Sequence, residues 1–231
     1  EIPLRLVGSE MCIRDRVQYA DYALWQRERL GDLESQSETA TEQVAFWREA
    51  LSGVPEAMTL PVDRYTTTGT SYVGEQVRLR IDEKLYQQIT QLARHEGATP
   101  FMVLQTAAAI LLGRMGAGED ITLGTAVAGR SDEAMRELVG FFVNTLVLRV
   151  DLAANPTVAE ALAQVREFML SAWVNQEVPF DWVVKSLNPE RVSGRHPLFQ
   201  AMMVLQNNDA TPPNFAGLTP VSYTHLRAHE T

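Results

Sequence analysis

The sequence predicts an α/β fold in which helices cover a buried sheet. Three observations carry that reading. Segments of helical period alternate with strand-like runs along the middle of the chain, the pattern of a layered α/β or mixed architecture. The run VGFFVNTLVLRVDL (139–152) is almost wholly apolar, as a strand covered on both faces is. Residues 101–112 are apolar apart from Gln105 and Thr106, too short to span a bilayer and suited to a central buried helix.

Each element has its own local signal. VQYADYALWQRERL (17–30) places Tyr19, Tyr22 and Trp25 at i, i+3, i+6, an amphipathic helix with an aromatic face. A second helix follows Ser37 or Thr41, carries Val44, Phe46, Trp47 and Leu51, and stops at Gly53 and Pro55. The polar stretch 61–71 reads as an exposed loop. VGEQVRLRID (73–82) alternates Val77, Leu79 and Ile81 with Gln76, Arg78 and Arg80, the pattern of a half-buried strand. Asp82 is placed to cap a helix that ends at Gly97. Thr99 and Pro100 open the next helix, with proline in the first turn where its missing N–H costs little. A turn at 113–120 leads into the strand ITLGTAVAG (121–129). Asn155-Pro156-Thr157 opens a helix to about Asn175, a short helix covers 178–187, and HPLFQAMMVLQN (196–207) reads as another buried strand.

Bulk properties exclude several function classes. The chain has 231 residues, enough for one large domain or two small ones, and is 45% hydrophobic and 21% charged, ordinary for a globular protein. A net charge of −9 argues against a nucleic-acid partner, and no basic run suits anionic lipid. No membrane partner is expected. The single cysteine, Cys12, allows no internal disulfide and fits a reducing cytoplasm. The first residues, EIPLR, lack a secretory pattern. Neither GxGxxG nor GxxxxGK[ST] occurs. Gly113, Gly116 and Gly118 follow a helix and precede a strand, the reverse of the order a phosphate cradle needs. No CxxC, HExxH or GxSxG occurs. His225 and His229 stand at i, i+4 with no third ligand in view, so no metal is expected.

The two ends are related at the DNA level. Codons chosen for Arg16 back to Leu6 give, on the opposite strand, Pro220 to Glu230 without a break, and Arg5 then answers Thr231. The implied DNA resembles a transposase-based sequencing-library adapter. Residues 1–16 and 220–231 are therefore expected to be adapter-derived and set apart from fold reasoning. That leaves 17–219, without cysteine and with two histidines, His95 and His196.

Within 17–219 four motifs stand in order: YADYALWQ (19–26), VGFFVNTLVLR (139–149) preceded by LGTAVAGR (123–130), NQEVPFDWVV (175–184) and RHPLFQAMMVLQN (195–207). Together they resemble the C-terminal half of a condensation domain of a nonribosomal peptide synthetase. The resemblance implies one chloramphenicol acetyltransferase-like subdomain of a V-shaped pair, with an N-terminal linking helical segment and a substrate tunnel between the two subdomains. It also implies a reaction. The amine of an acceptor aminoacyl group attacks the thioester of a donor acyl or peptidyl group, both held on phosphopantetheine of partner carrier proteins, and an amide forms. No cofactor bound by the domain itself is implied. The implied partners are peptidyl carrier proteins, neighbouring synthetase domains and an N-terminal subdomain. In the family the second His of HHxxxDG serves catalysis, and that motif is absent from this sequence. The chain is expected to be inactive alone. Asn175 stands where the third motif usually begins with His, His196 replaces the usual Asn of the last motif, and Ser193-Gly194 precede Arg195 where the family has Ser alone.

No catalytic residue is assigned. Four tunnel candidates are. Asn144 is a polar side chain in an apolar strand, where an unpaired amide costs ~1–3 kcal/mol. It either lines the tunnel toward substrate or the facing subdomain, or satisfies neighbouring backbone. Gly124 and Gly129 flank TAVA and either allow close approach to the tunnel or relieve crowding. Arg130 is expected to pair with Asp132 or Glu133, the alternative being contact with a phosphopantetheine phosphate. Tyr19, Tyr22 and Trp25 are expected to pack between subdomains, Met202 and Met203 to fill core, and His95 and His196 to be structural. Two other readings stand beside an enzyme fragment: a carrier-binding half-domain without catalysis, and a fragment of a related epimerisation or cyclisation domain.

Overall fold

The structure, a computed structural model, describes residues 17–60, 76–130, 132–136, 138–190 and 195–206. The adapter reading of the two ends, the 61–71 loop, His225 and His229 lie outside them. Helix α1 (Tyr19–Leu30) leads into a hairpin of β1 (Gly31–Asp32) and β2 (Ser35–Gln36), then α2 (Glu38–Ala50). Gly31 turns the chain at φ +76, where a side chain would meet the Ser35 carbonyl. Ser37 caps α2, its side chain accepting from Ala40 N.

Helix α3 (Glu83–His95) is capped by Asp82, and α4 (Pro100–Arg114) by Thr99 with proline in the first turn, as the sequence predicts. Strand β3 (Asp120–Val127) pairs antiparallel with β4 (Asn144–Asp151), from Asp120 opposite Asp151 to Val127 opposite Asn144. A capping box between Thr157 and Glu160 starts α5 (Val158–Val174), and α6 (Phe180–Leu187) follows. Strand β5 (Ala201–Met202) joins β3 in parallel, giving the order β4-β3-β5.

The sheet is covered on both faces. On one, Ile121, Leu123, Leu148 and Val150 pack with Met102, Val103 and Ala109 of α4 and Leu162, Val165 and Met169 of α5. On the other, Val147 shares a core with Val44 and Trp47 of α2, Val183 of α6 and Phe199. Arg149 crosses this second face. It pairs with Asp120 at 2.8 Å and donates to the Ala50 and Ser52 carbonyls, closing the C-terminus of α2. The Asp120 hydrogen bond, above all, holds the guanidinium more firmly protonated than usual.

Three strand expectations need correction. Residues 76–82 join no sheet among the described residues: Val77 is 80% and Leu79 92% exposed. Alternation marks a face that can be buried, and burial needs a partner. The apolar run from 139 becomes a strand only at Asn144, because β3 has ended opposite it at Val127. Phe141 and Val143 are exposed instead. In 196–207 the strand is two residues long among the described residues, and Met202 is exposed and Met203 half-buried, so neither is core filler.

Candidate functional site

One cavity of about 790 Å³ lies where α1 meets the 140–145 segment and the 176–181 turn. Its walls come from motifs far apart in sequence. Tyr19 and Tyr22 of α1 pack on Phe142 at ring-centroid distances of 5.3 and 4.7 Å. The Tyr19 hydroxyl donates to the Phe141 carbonyl at 2.9 Å. Gly140 makes the approach possible, since a Cβ there would lie 2.1 Å from the Tyr19 ring. Burial, followed by the neighbouring Tyr19 and Glu177, pushes the Tyr22 hydroxyl above its ordinary pKa.

Asn144 holds the opposite wall. Its Nδ2 donates to the Gln176 and Val178 carbonyls, both at 2.8 Å. Its Oδ1 accepts from Thr145 N at 2.9 Å and Phe180 N at 3.1 Å. These four contacts use the capacity of a side-chain amide. Asn144 also lines the cavity, but its polar atoms are turned to backbone.

Gln43 of α2 completes the clamp, and the sequence reading missed it. Its Oε1 accepts from Glu177 N and Val178 N, both at 3.1 Å. The available signal was position: Ala40, Gln43, Val44 and Trp47 form one buried stripe on α2. A lone amide on an apolar stripe needs a partner. Outside the turn, Arg29 of α1 grips the Glu177 carboxylate with Nε and Nη2, the latter at 2.9 Å. That hydrogen bond strengthens protonation of the guanidinium.

The other candidates separate. Gly129 and Arg130 line the cavity, whereas Gly124 does not. Gly124 leaves room for Phe199, since a Cβ would stand 2.4 Å from its ring. Gly129 has φ +63, and a Cβ there would be 1.8 Å from the Phe142 carbonyl oxygen. Arg130 makes no ion pair with Asp132 or Glu133 among the described residues. It donates to the Met135 and Arg136 carbonyls and lies 4.2 Å over the Phe142 ring. Those carbonyls and the ring face are fixed in place, while Glu133 is exposed and pairs with Arg136 at 3.7 Å.

Neither His95 nor His196 reaches the cavity. His95 ends α3 beside Glu96, and His196 stacks on Phe180 with centroids 5.6 Å apart. Asn175 closes α5, donating to the Ser171 carbonyl while its own carbonyl accepts from Trp47 Nε1. Among the described residues no cluster of acids and histidines could hold a metal ion, and no helix is long and apolar enough to cross a membrane.

Comparison with known proteins adds a family to this geometry. The Condensation domain family model matches residues 6–230. A probable non-canonical nonribosomal peptide synthetase (NRPS), CymA, of Salinispora arenicola is 48% identical over 204 residues, 88% of this chain and 3% of that protein. A dimodular nonribosomal peptide synthase of Bacillus subtilis is 45% identical over 191 residues, 83% of this chain and 8% of that protein. The chain thus spans under a tenth of either relative. Among solved structures, the X-domain from teicoplanin biosynthesis superposes with a TM-score of 0.73 at 32% identity, covering 80% of this chain and 41% of that one. The same X-domain is also known in complex with OxyB, where it is 31% identical to this chain, with a TM-score of 0.73 and the same coverage of both chains.

Proposed function

The chain belongs to the condensation-domain family, and from that premise we propose that it is the C-terminal half of a nonribosomal peptide synthetase condensation domain. In the complete protein it forms one wall of a tunnel in which a carrier-bound amine attacks a carrier-bound thioester to give an amide. This half supplies shape and rigidity, and the other half supplies the HHxxxDG histidine, which positions the nucleophile or takes its proton. The observation that supports the reading most directly is the convergence at Asn144. Three of the motifs that carry the family resemblance meet there around one cavity: 19–26, 139–149 and 175–184. A rigid wall of that kind positions reactants, a contribution that depends on sub-ångström geometry.

The test is reconstitution. The chain is joined to an N-terminal condensation subdomain that carries HHxxxDG and supplied with two loaded carrier proteins. Amide product from the joined protein, and none from the chain alone, is the expected result. Equal product from the chain alone, or none from the joined and folded protein, overturns it.

A second reading is a docking module without chemistry. It is favoured by one observation, that the similar X-domain forms a complex with OxyB. Tight carrier-protein binding by the joined protein, with no amide formed, selects that reading.

A further inference from the structure

The turn that borders the cavity has no backbone pairing at its start. Among the described residues Gln176, Glu177 and Val178 make no backbone–backbone hydrogen bond. The carbonyls of 176 and 178 accept from Asn144, and the N–H groups of 177 and 178 both donate to one atom, Gln43 Oε1, at 3.1 Å. Backbone groups of this kind must be paired, so the turn keeps its place only while those two side chains keep theirs.

Gln43 itself is 6% exposed and does not line the cavity. Gln176, Glu177, Pro179 and Phe180 do. The Glu177 carboxylate carries the restraint further, because Arg29 of α1 holds it and lines the same cavity. Gln43 therefore reaches the cavity only through the turn. Its Oε1 is filled by two N–H groups, out of reach of a substrate or a carrier protein.

We propose that Gln43 is a positioning residue for amide formation, an inference that rests on the condensation reading above. It fixes the 176–181 wall against which the reactants are aligned, and so governs the chemical step and not the capture of a loaded carrier. A misplacement of about 1 Å in such a wall costs up to about 100-fold in rate. Loss of an interaction that serves only the transition state lowers kcat and leaves KM unchanged.

The experiment uses the full chain joined to the N-terminal condensation subdomain, with two loaded carrier proteins. Gln43→Leu removes the acceptor and is expected to lower kcat about 10-fold or more, with KM for the loaded carriers unchanged. Gln43→Asn, which draws the amide back by one methylene, is expected to act in the same direction and serves if the leucine variant does not fold. Gln43→Glu keeps an acceptor oxygen and is expected to restore most of the rate, since both contacts are accepted ones. Hydrogen exchange at the 177 and 178 amides is expected to quicken in Gln43→Leu and Gln43→Asn and to return toward the parent in Gln43→Glu. Ile121→Val, in the core on the opposite face of the sheet, is expected to lose stability with kcat intact. An unchanged kcat, a rise in KM in its place, no rescue by glutamate, unchanged exchange, or an equal loss of kcat in Ile121→Val overturns the proposal. The expected exchange pattern with no amide from the unaltered joined protein overturns the condensation reading instead, and the proposal with it.

Discussion

Gly140 and Tyr19 are in contact so close that no side chain fits between them: a Cβ on Gly140 would lie 2.1 Å from Tyr19 Cδ2 and 2.6 Å from Cε2. This contact, with the Tyr19 hydroxyl on the Phe141 carbonyl, docks α1 against the chain more than a hundred residues later.

Gly140→Ala therefore displaces α1. Overpacking of this kind costs roughly 1–3 kcal/mol. The variant should show a lower denaturation midpoint and altered Trp25 fluorescence. Gly53, whose Cβ would meet nothing within 4 Å but whose φ is +71, is the control for a purely local backbone penalty. Gly53→Ala should leave Trp25 unchanged.

Asn144→Ala strands Phe180 N, Thr145 N and two carbonyls. The loss is about 1–3 kcal/mol, measured by urea denaturation. Asn144→Asp does not restore it, because a carboxylate faces the Gln176 and Val178 carbonyls where Nδ2 donated. Full rescue by aspartate would show that the donor side carries no weight.

Gln105 behaves in the opposite way. It is 0% exposed in the core of α4, and neither amide atom finds a hydrogen-bond partner among the described residues. Gln105→Leu removes two unsatisfied polar atoms at similar volume and should raise stability by about 1 kcal/mol, with an unchanged denaturant slope. A loss of stability would mean that the amide has a partner beyond those residues.

Glu160 makes stability depend on acid. The Thr157 backbone N–H, then its hydroxyl, hold the Glu160 carboxylate below its ordinary pKa of 4.5. A depressed folded-state pKa contributes stability that is fully present above the ordinary value and disappears as pH falls through the lowered one. The parent chain should be more stable than Glu160→Gln at pH 7, and the two curves should converge as pH drops below 4.5. A gap that persists in strong acid would sink the capping-box explanation.

Most of the helical framework was legible in the sequence. Caps act within a few residues, so local pattern assigned Asp82 and placed helix starts at Ser37 or Thr41, at Thr99-Pro100 and at Asn155-Pro156-Thr157; the structure makes Ser37, Asp82, Thr99 and Thr157 the caps. The family motifs were equally legible, because they are contiguous strings. The strands were less so. Alternation at 76–82 and the apolar run from 139 describe which faces can be buried, not what lies beside them, and pairing partners are remote in sequence.

The site divides along the same line. The residue type at Asn144 announced a buried amide that must be satisfied, but only the packing of β4 against the 176–180 turn decided that backbone, and not a ligand, takes all four of its contacts. Arg130 announced a cation near two acids, and the fold gave it carbonyls and the Phe142 ring instead. Gln43 was silent until α2 met that turn. Local propensity and capping act over a turn of chain and are written in sequence. Which polar groups meet in a cavity wall depends on contacts across more than a hundred residues, and only tertiary structure sets those.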